Sequence, residues 1–227
     1  MARLARAVFP GLPHHVTQRG NGRQQTFFGD RDYALYRELL REHCAAANVA
    51  VWSYALMPNH VHLILVPADE DGLRRALAPL HRRYAGEVHA RLKRTGHFWQ
   101  GRFGCVAMDE EHLAAAVPYV LMNPVRAGLA GRASDWPWSS ARTLLGLEED
   151  CVTATAEIRT RWPDLAALLE SVEEDERTLR LRRAETIGRP IGSPSFVERL
   201  EKERGRKFTP DKRGRKKKMD ELSALSP

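Results

Sequence analysis

The chain has 227 residues, 43% of them apolar and 29% charged, with a net charge of +7, which suits one domain plus an appendage around a buried core. Its longest apolar stretches, 63–67 and 113–122, fall short of the roughly 20 residues that a bilayer demands, and residues 1–13 lack the apolar core of a secretory signal. Three widely spaced cysteines, Cys44, Cys105 and Cys151, argue against a disulfide scaffold and set the expectation of a reducing cytosol.

Residues 14–20 read as a short strand that runs into a Gly-Asn-Gly turn at 20–22. Asp30 then caps a helix to about Asn48, with Leu35, Leu39, Leu40 and Ala46 toward one side. Two β-rich runs, 50–57 and 60–66, are joined by Pro58-Asn59 as a hairpin. A second helix spans about 72–94, with Leu73, Leu77, Leu80, Tyr84, Val88 and Leu92 at helical spacing and a kink or break expected at Pro79. Residues 98–108 read as a fourth strand, and Asp109 starts an additional helix that reaches Met122. The order β-α-β-β-α-β predicts an α+β fold, a ferredoxin-like antiparallel sheet with helices on one face.

After the turn at 123–129 come Trp136 and Trp138, then short helices to about Arg204. The acidic run Glu173–Glu176 reads as a solvated face or linker, and Ser195 to Glu198 has capping-box spacing. The expected divisions are a body over 1–145, a helical extension over 146–200 and a basic, flexible tail over 201–227. Eighteen Lys and Arg face twelve acidic residues in the first part, eight face twelve in the second and ten face five in the third. Such a distribution suits a polyanionic partner. The run Lys212, Arg213, Gly214, Arg215, Lys216, Lys217, Lys218 has no apolar residue with which to pack, so it belongs on phosphates or in solvent.

Two constellations can carry chemistry. His60 and His62 alternate along a strand, so both face one way, about 7 Å apart at Cα, and can converge on one ion; the alternative is a pair of sheet histidines satisfied by neighbours. Tyr119 and Asn123 are four residues apart on the last helix and share a face, about 6 Å apart along its axis, so both could reach one site; taken alone they read as a packing residue and a helix stop before Pro124. Pro118 removes a helical N–H and crowds the carbonyl of Ala114, so it either kinks the helix and aims Tyr119 or marks a fresh start. Walker, HExxH and paired CxxC patterns are absent.

Met-Pro-Asn-His-Val-His-Leu-Ile at 57–64, with Tyr119-x-x-x-Asn-Pro-Val-Arg-Ala-Gly-Leu beginning 57 residues after His62, resembles the HUH single-tyrosine transposases, above all the REP-associated tyrosine transposases. Further matching stretches are His15-Val-Thr-Gln-Arg19-Gly20, Thr95 to Phe103 and Trp136-Pro-Trp-Ser-Ser140, so the resemblance covers about 14–145. Residues 187–200 resemble the C-terminal part of some members.

The resemblance implies cleavage and rejoining of single-stranded or hairpin DNA from palindromic repeats through a 5′-phosphotyrosine. Tyr119 would be the nucleophile, and His60, His62 and Asn123 would hold a divalent ion, implied to be Mg²⁺ or Mn²⁺, although the imidazole pair also suits Zn²⁺. Ionising a tyrosine of pKa near 10 at pH 7 costs about 4 kcal/mol, which an ion on the scissile phosphate would offset. Arg19, Arg23, Arg102 and Arg126 lie beside these motifs and are the expected DNA contacts, together with Lys212, Arg213, Arg215, Lys216, Lys217 and Lys218 of the tail. A non-catalytic hairpin-binding regulator and a metal-dependent hydrolase are the competing readings. The expected setting is the bacterial cytoplasm at the nucleoid, without a membrane partner, as a monomer or homodimer.

Overall fold

The alternation of short β-rich runs and amphipathic helices builds, in a computed structural model that describes residues 6–171 and 176–209, a four-stranded antiparallel sheet. Its strands are β1 (His14–Arg19), β2 (Val49–Met57), β3 (His60–Pro67) and β4 (Gly104–Ala107), in the order β2-β3-β1-β4. Helix α1 (Asp30–Ala46) follows β1 and α2 (Gly72–Leu92) follows β3, as the ferredoxin-like order requires.

Both helices pack on one face of the sheet. Val16, Tyr54, Leu56, Val61, Leu63 and Leu65 point toward them and join Tyr36, Leu40, Leu77 and Tyr84 in one buried cluster. Each such side chain contributes about 1.5–3 kcal/mol on burial. Asp32, in the first turn of α1, accepts from the Phe28 N–H at 2.8 Å and pairs with Arg91 of α2, which clamps the two helices together. Pro79 does not break α2: Leu77 and Leu80 on either side of it are fully buried, and this packing outweighs one lost backbone bond.

The additional helix, α3 (Glu110–Leu121), lies on the opposite face. There Leu113, Ala116, Val117 and Val120 cluster with Trp52, Ala55 and Ile64 of the sheet. Asp109 caps its start by accepting from the His112 N–H at 3.0 Å. Of the two alternatives at Pro118, the fresh start does not occur; α3 runs through it, with its flanking residues buried.

The predicted strand over 98–108 is shorter than expected. Regular pairing covers only Gly104–Ala107, and residues 98–103 form a loop held to the end of β1 by Asn21 N–H donating to Phe98 O and Gln100 N–H donating to Arg19 O, both at 2.9 Å. Beyond α3 come the short helices α4 (Asn123–Arg126), α5 (Ala141–Leu144), α6 (Thr155–Arg161) and α7 (Leu165–Glu170), then α8 (Glu176–Ile187) and α9 (Pro194–Arg204).

This later chain covers both edges of the sheet. Leu56 N–H donates to Trp138 O at 2.9 Å and Ala154 N–H to Val51 O at 2.8 Å along β2, while Ile191 N–H donates to Ala107 O at 2.9 Å beside β4. Covered edges cannot recruit a further strand. The expected start of the flexible tail at residue 201 needs correction. Helix α9 continues to Arg204, and Phe208 is buried against Phe9, so residues 201–209 belong to the packed body. No helix among the described residues is long and apolar enough to cross a membrane.

Candidate functional site

The β1–β3 register brings the polar residues of the α3 face together. His15 pairs with Ile64, Thr17 with His62 and Arg19 with His60, so His15, Arg19, His60 and His62 all stand on that face. The rings of His60 and His62 are 4.9 Å apart and nearly perpendicular, at 77°. His62 Nδ1 lies 3.0 Å from His15 Nε2, with the two rings parallel within 2°. His60 Nδ1 lies 2.6 Å from Asn59 Oδ1, and Asn59 Nδ2 donates to Arg23 O at 3.0 Å.

Tyr119 reaches this group from α3. Its ring stands edge-on to His62 at 5.5 Å and to His15 at 5.8 Å. The Arg126 guanidinium lies 4.7 Å from the Tyr119 ring centroid and donates to the Tyr119 carbonyl oxygen. Asn123 Nδ2 donates to the same carbonyl at 3.0 Å, so both side chains terminate the helix that carries the tyrosine.

Burial keeps the imidazoles neutral. The His15 pKa is pushed down to about 3 by desolvation, and that of His60 to about 4 by desolvation and then by the Arg19 charge. His62 falls well below the usual histidine range, first through burial, then through His15, His60, Arg19 and Arg126. The result is a set of neutral nitrogen donors ringed by two guanidinium groups, beside a phenol. Neutral nitrogens suit a cation and guanidinium groups suit phosphate oxygens.

The family model described as IS200-like transposase matches residues 9–123, a span that contains every one of these groups except Arg126. The chain belongs to the IS200-like transposase family. A curated Haemophilus influenzae protein named as a REP-associated tyrosine transposase is 24% identical over 116 residues, which are 46% of this chain and 66% of that relative, just under two thirds of its length. A solved REP-associated tyrosine transposase bound to a REP hairpin shares the fold, with a TM-score of 0.56 at 21% identity over 66% of this chain and 90% of its own.

Of the residues expected in the site of this IS200-like transposase, the structure gathers His60, His62, Tyr119, Asn123, Arg19 and Arg126. Arg126, expected on DNA, rests on the tyrosine ring. Arg23 is exposed in the turn after β1, with its backbone carbonyl on Asn59, and Arg102 is exposed in the loop that leads into β4. Lys212, Arg213, Arg215, Lys216, Lys217 and Lys218 lie outside the described residues, as do Glu173 and Glu174.

Among the described residues no three His, Cys, Asp or Glu side chains form a metal-binding group. A metal here would therefore take His60 and His62 plus a donor of another kind, such as the Asn123 carboxamide oxygen. Two lone-pair imidazoles and an amide oxygen fit a divalent ion that also binds phosphate and water.

Two further residues belong to the site. His15 stands in the motif at 15–20 but gives no sign in the sequence of reaching His62, and Asn59 reads only as a turn residue. Gly20, in the same motif, is required by the turn beside them, because a Cβ there would lie 2.3 Å from Gln24 O. That turn leads into a concavity of about 140 Å³ lined by Gln24, Gln25, Phe28, His89, Arg94 and Phe98, among others. Between Gln25 and Phe28 of this lining, the Thr26 and Phe27 N–H groups donate to Pro58 O, next to Asn59 and His60.

Proposed function

We propose that this IS200-like transposase cleaves and rejoins single-stranded DNA beside a hairpin, with Tyr119 as the nucleophile. The observation that carries the reading is the contact of the Tyr119 ring with His62 of the same chain, which puts a phenol beside neutral imidazoles and two guanidinium groups. Family membership supports DNA as the substrate, and the fold shared with a transposase solved on a REP hairpin supports a hairpin from palindromic repeats.

In the proposed step Tyr119 Oη attacks the scissile phosphorus and loses its proton. The bond from phosphorus to the 3′-oxygen breaks, and that oxygen takes up a proton as a free 3′-OH while a 5′-phosphotyrosine forms. Attack by another 3′-OH reverses these changes, so bond energy is conserved and no nucleotide is consumed. Arg19 and Arg126 would hold the phosphate oxygens, and His60, His62 and Asn123 would hold the divalent ion. When bound, that ion supplies charge withdrawal from the phosphate and orientation of the attacked bond. The concavity at Phe28 and Phe98 combines aromatic, amide and cationic groups, a combination suited to an unpaired base. Because nucleophile and histidines come from one chain, one copy carries a complete set.

Labelled single-stranded DNA beside its hairpin, incubated with the protein and Mn²⁺, should give a DNA-linked band on a denaturing gel, and Tyr119→Phe should give none. A band that persists in Tyr119→Phe would remove the tyrosine from the mechanism. Tight hairpin binding by the wild type without any band would make the protein a non-catalytic binder.

A further inference from the structure

Both β3 histidines have Nδ1 committed to a partner, so a metal bound by either would take Nε2, the other ring nitrogen. At His60 the pairing is decided by geometry. Asn59 Nδ2 donates to Arg23 O, which turns Oδ1 toward His60. An amide oxygen only accepts, so the neutral ring carries its proton on Nδ1 and its lone pair on Nε2.

At His62 the partner is another imidazole, His15, on β1 opposite Ile64 and Val106. His15 is 1% exposed, between Ile64 and Val106 on the neighbouring strands and beside the Tyr119 ring, where an aliphatic side chain would fill the space at lower cost in desolvation. An imidazole in that position gains through its nitrogen, and its Nε2 meets His62 Nδ1 at 3.0 Å.

We propose that Asn59 and His15 are positioning residues that hold His60 and His62 in the same tautomer, His15 accepting the Nδ1 proton of His62, so that β3 presents two Nε2 donors to a divalent cation. The proposal rests on the metal-assisted reading above. Such outer partners fix ring rotation and raise ligand basicity, and their loss typically weakens metal binding about 10- to 100-fold.

The test uses the full chain, labelled with ¹⁵N and free of metal, at pH 7. Long-range ¹H–¹⁵N correlations should show Nδ1 protonated and Nε2 unprotonated in both His60 and His62. His15→Leu and Asn59→Ala should each mix the tautomers of the histidine they touch and weaken Mn²⁺ binding, followed by electron paramagnetic resonance, by about 10- to 100-fold. His15→Gln, whose side-chain oxygen can still accept, should restore most of the affinity, which a purely packing role would not predict; it also keeps the test valid should His15→Leu fail to fold. A wild-type His62 protonated on Nε2 would overturn the proposal. So would Mn²⁺ affinity lost in His62→Ala but unchanged in both His15 variants. Equal Mn²⁺ uptake by the wild type, His60→Ala and His62→Ala would instead overturn the metal reading itself, and the proposal with it.

Discussion

The two faces of the sheet are made of alternate residues of the same strands, yet they hold different contents. Toward α1 and α2, Val61, Leu63 and Leu65 meet tyrosines and leucines, and Tyr84 Oη donates to Thr26 O at 2.8 Å. Toward α3, His60, His62 and Ile64 stand beside His15, Arg19 and Tyr119. Burying neutral imidazoles adds little to stability and carries a desolvation cost. The aliphatic face therefore supplies the stability and rigidity with which the other face holds its side chains in place.

The largest effects should separate these faces. Leu63→Ala, at a site with no exposure, should cost about 2–5 kcal/mol in urea unfolding, while the molecules that remain folded still form the DNA adduct. His60→Ala, at a partly exposed position, should change stability far less and abolish the adduct. If His60→Ala proved as destabilising as Leu63→Ala, the division of labour between the faces would be wrong.

An effect smaller per residue, and shared by both faces, follows from the buried histidines. His14 belongs to the α1/α2 face and is fully committed as a neutral ring, Nε2 accepting from the Phe9 N–H at 3.1 Å and Nδ1 donating to Leu12 O at 2.7 Å. Burial pushes its pKa down to about 4, against about 6.5 when unfolded. Between these values the unfolded chain binds the extra proton, so stability rises with pH. The contribution is fully present above about pH 6.5 and is lost as pH falls toward 4. His81 on α2, pushed by burial to about 3, and His15 and His60 on the other face act in the same direction. Stability should therefore fall between pH 7 and pH 5 by about 2 kcal/mol for each such group. A flat unfolding free energy over that range would mean that these rings titrate normally.

How much of this was legible depends on the range of the interaction. The alternation His60-Val61-His62-Leu63 is local, so the split between faces and the paired imidazoles can be read directly from a strand of period two. The helix that carries Tyr119 can be read in the same way, but its seat on the far side of the sheet cannot, because nothing local says which face an extra helix will cover. His15 is harder still, since it meets His62 only through the β1–β3 register, 47 residues away in sequence. Asn59 looks like any hairpin residue until Arg23, 36 residues earlier, fixes its amide. Local rules allowed a break at Pro79 and a strand over 98–103, and neither occurs, for the same reason: tertiary packing decided the first, and the second was held to β1 as a loop.

The smallest effect on the folded body should come from the basic C-terminal end. Residues 202–218 carry ten Lys and Arg against Glu203 and Asp211. Arg204, however, pairs with Glu70 at 2.5 Å, and Glu201 accepts from the Phe208 N–H at 2.6 Å, so the first part of this segment is tied to the body. The cut that isolates the remaining cations therefore falls after Thr209. A chain ending there should keep its stability and, at saturating DNA, its rate of adduct formation, because Tyr119, His60 and His62 are untouched. If about four of the six removed cations in 212–218 meet phosphates, the slope of log K against log salt should become shallower by roughly 3 to 4. A chain ending at Glu201 should behave differently, losing stability as well, because it also strips Phe208 from its contact with Phe9. Hairpin affinity measured at several salt concentrations for the three lengths separates the two contributions. An unchanged slope in the chain ending at Thr209 would leave the arginines of the body, Arg19 and Arg126 among them, to carry the phosphate contacts alone.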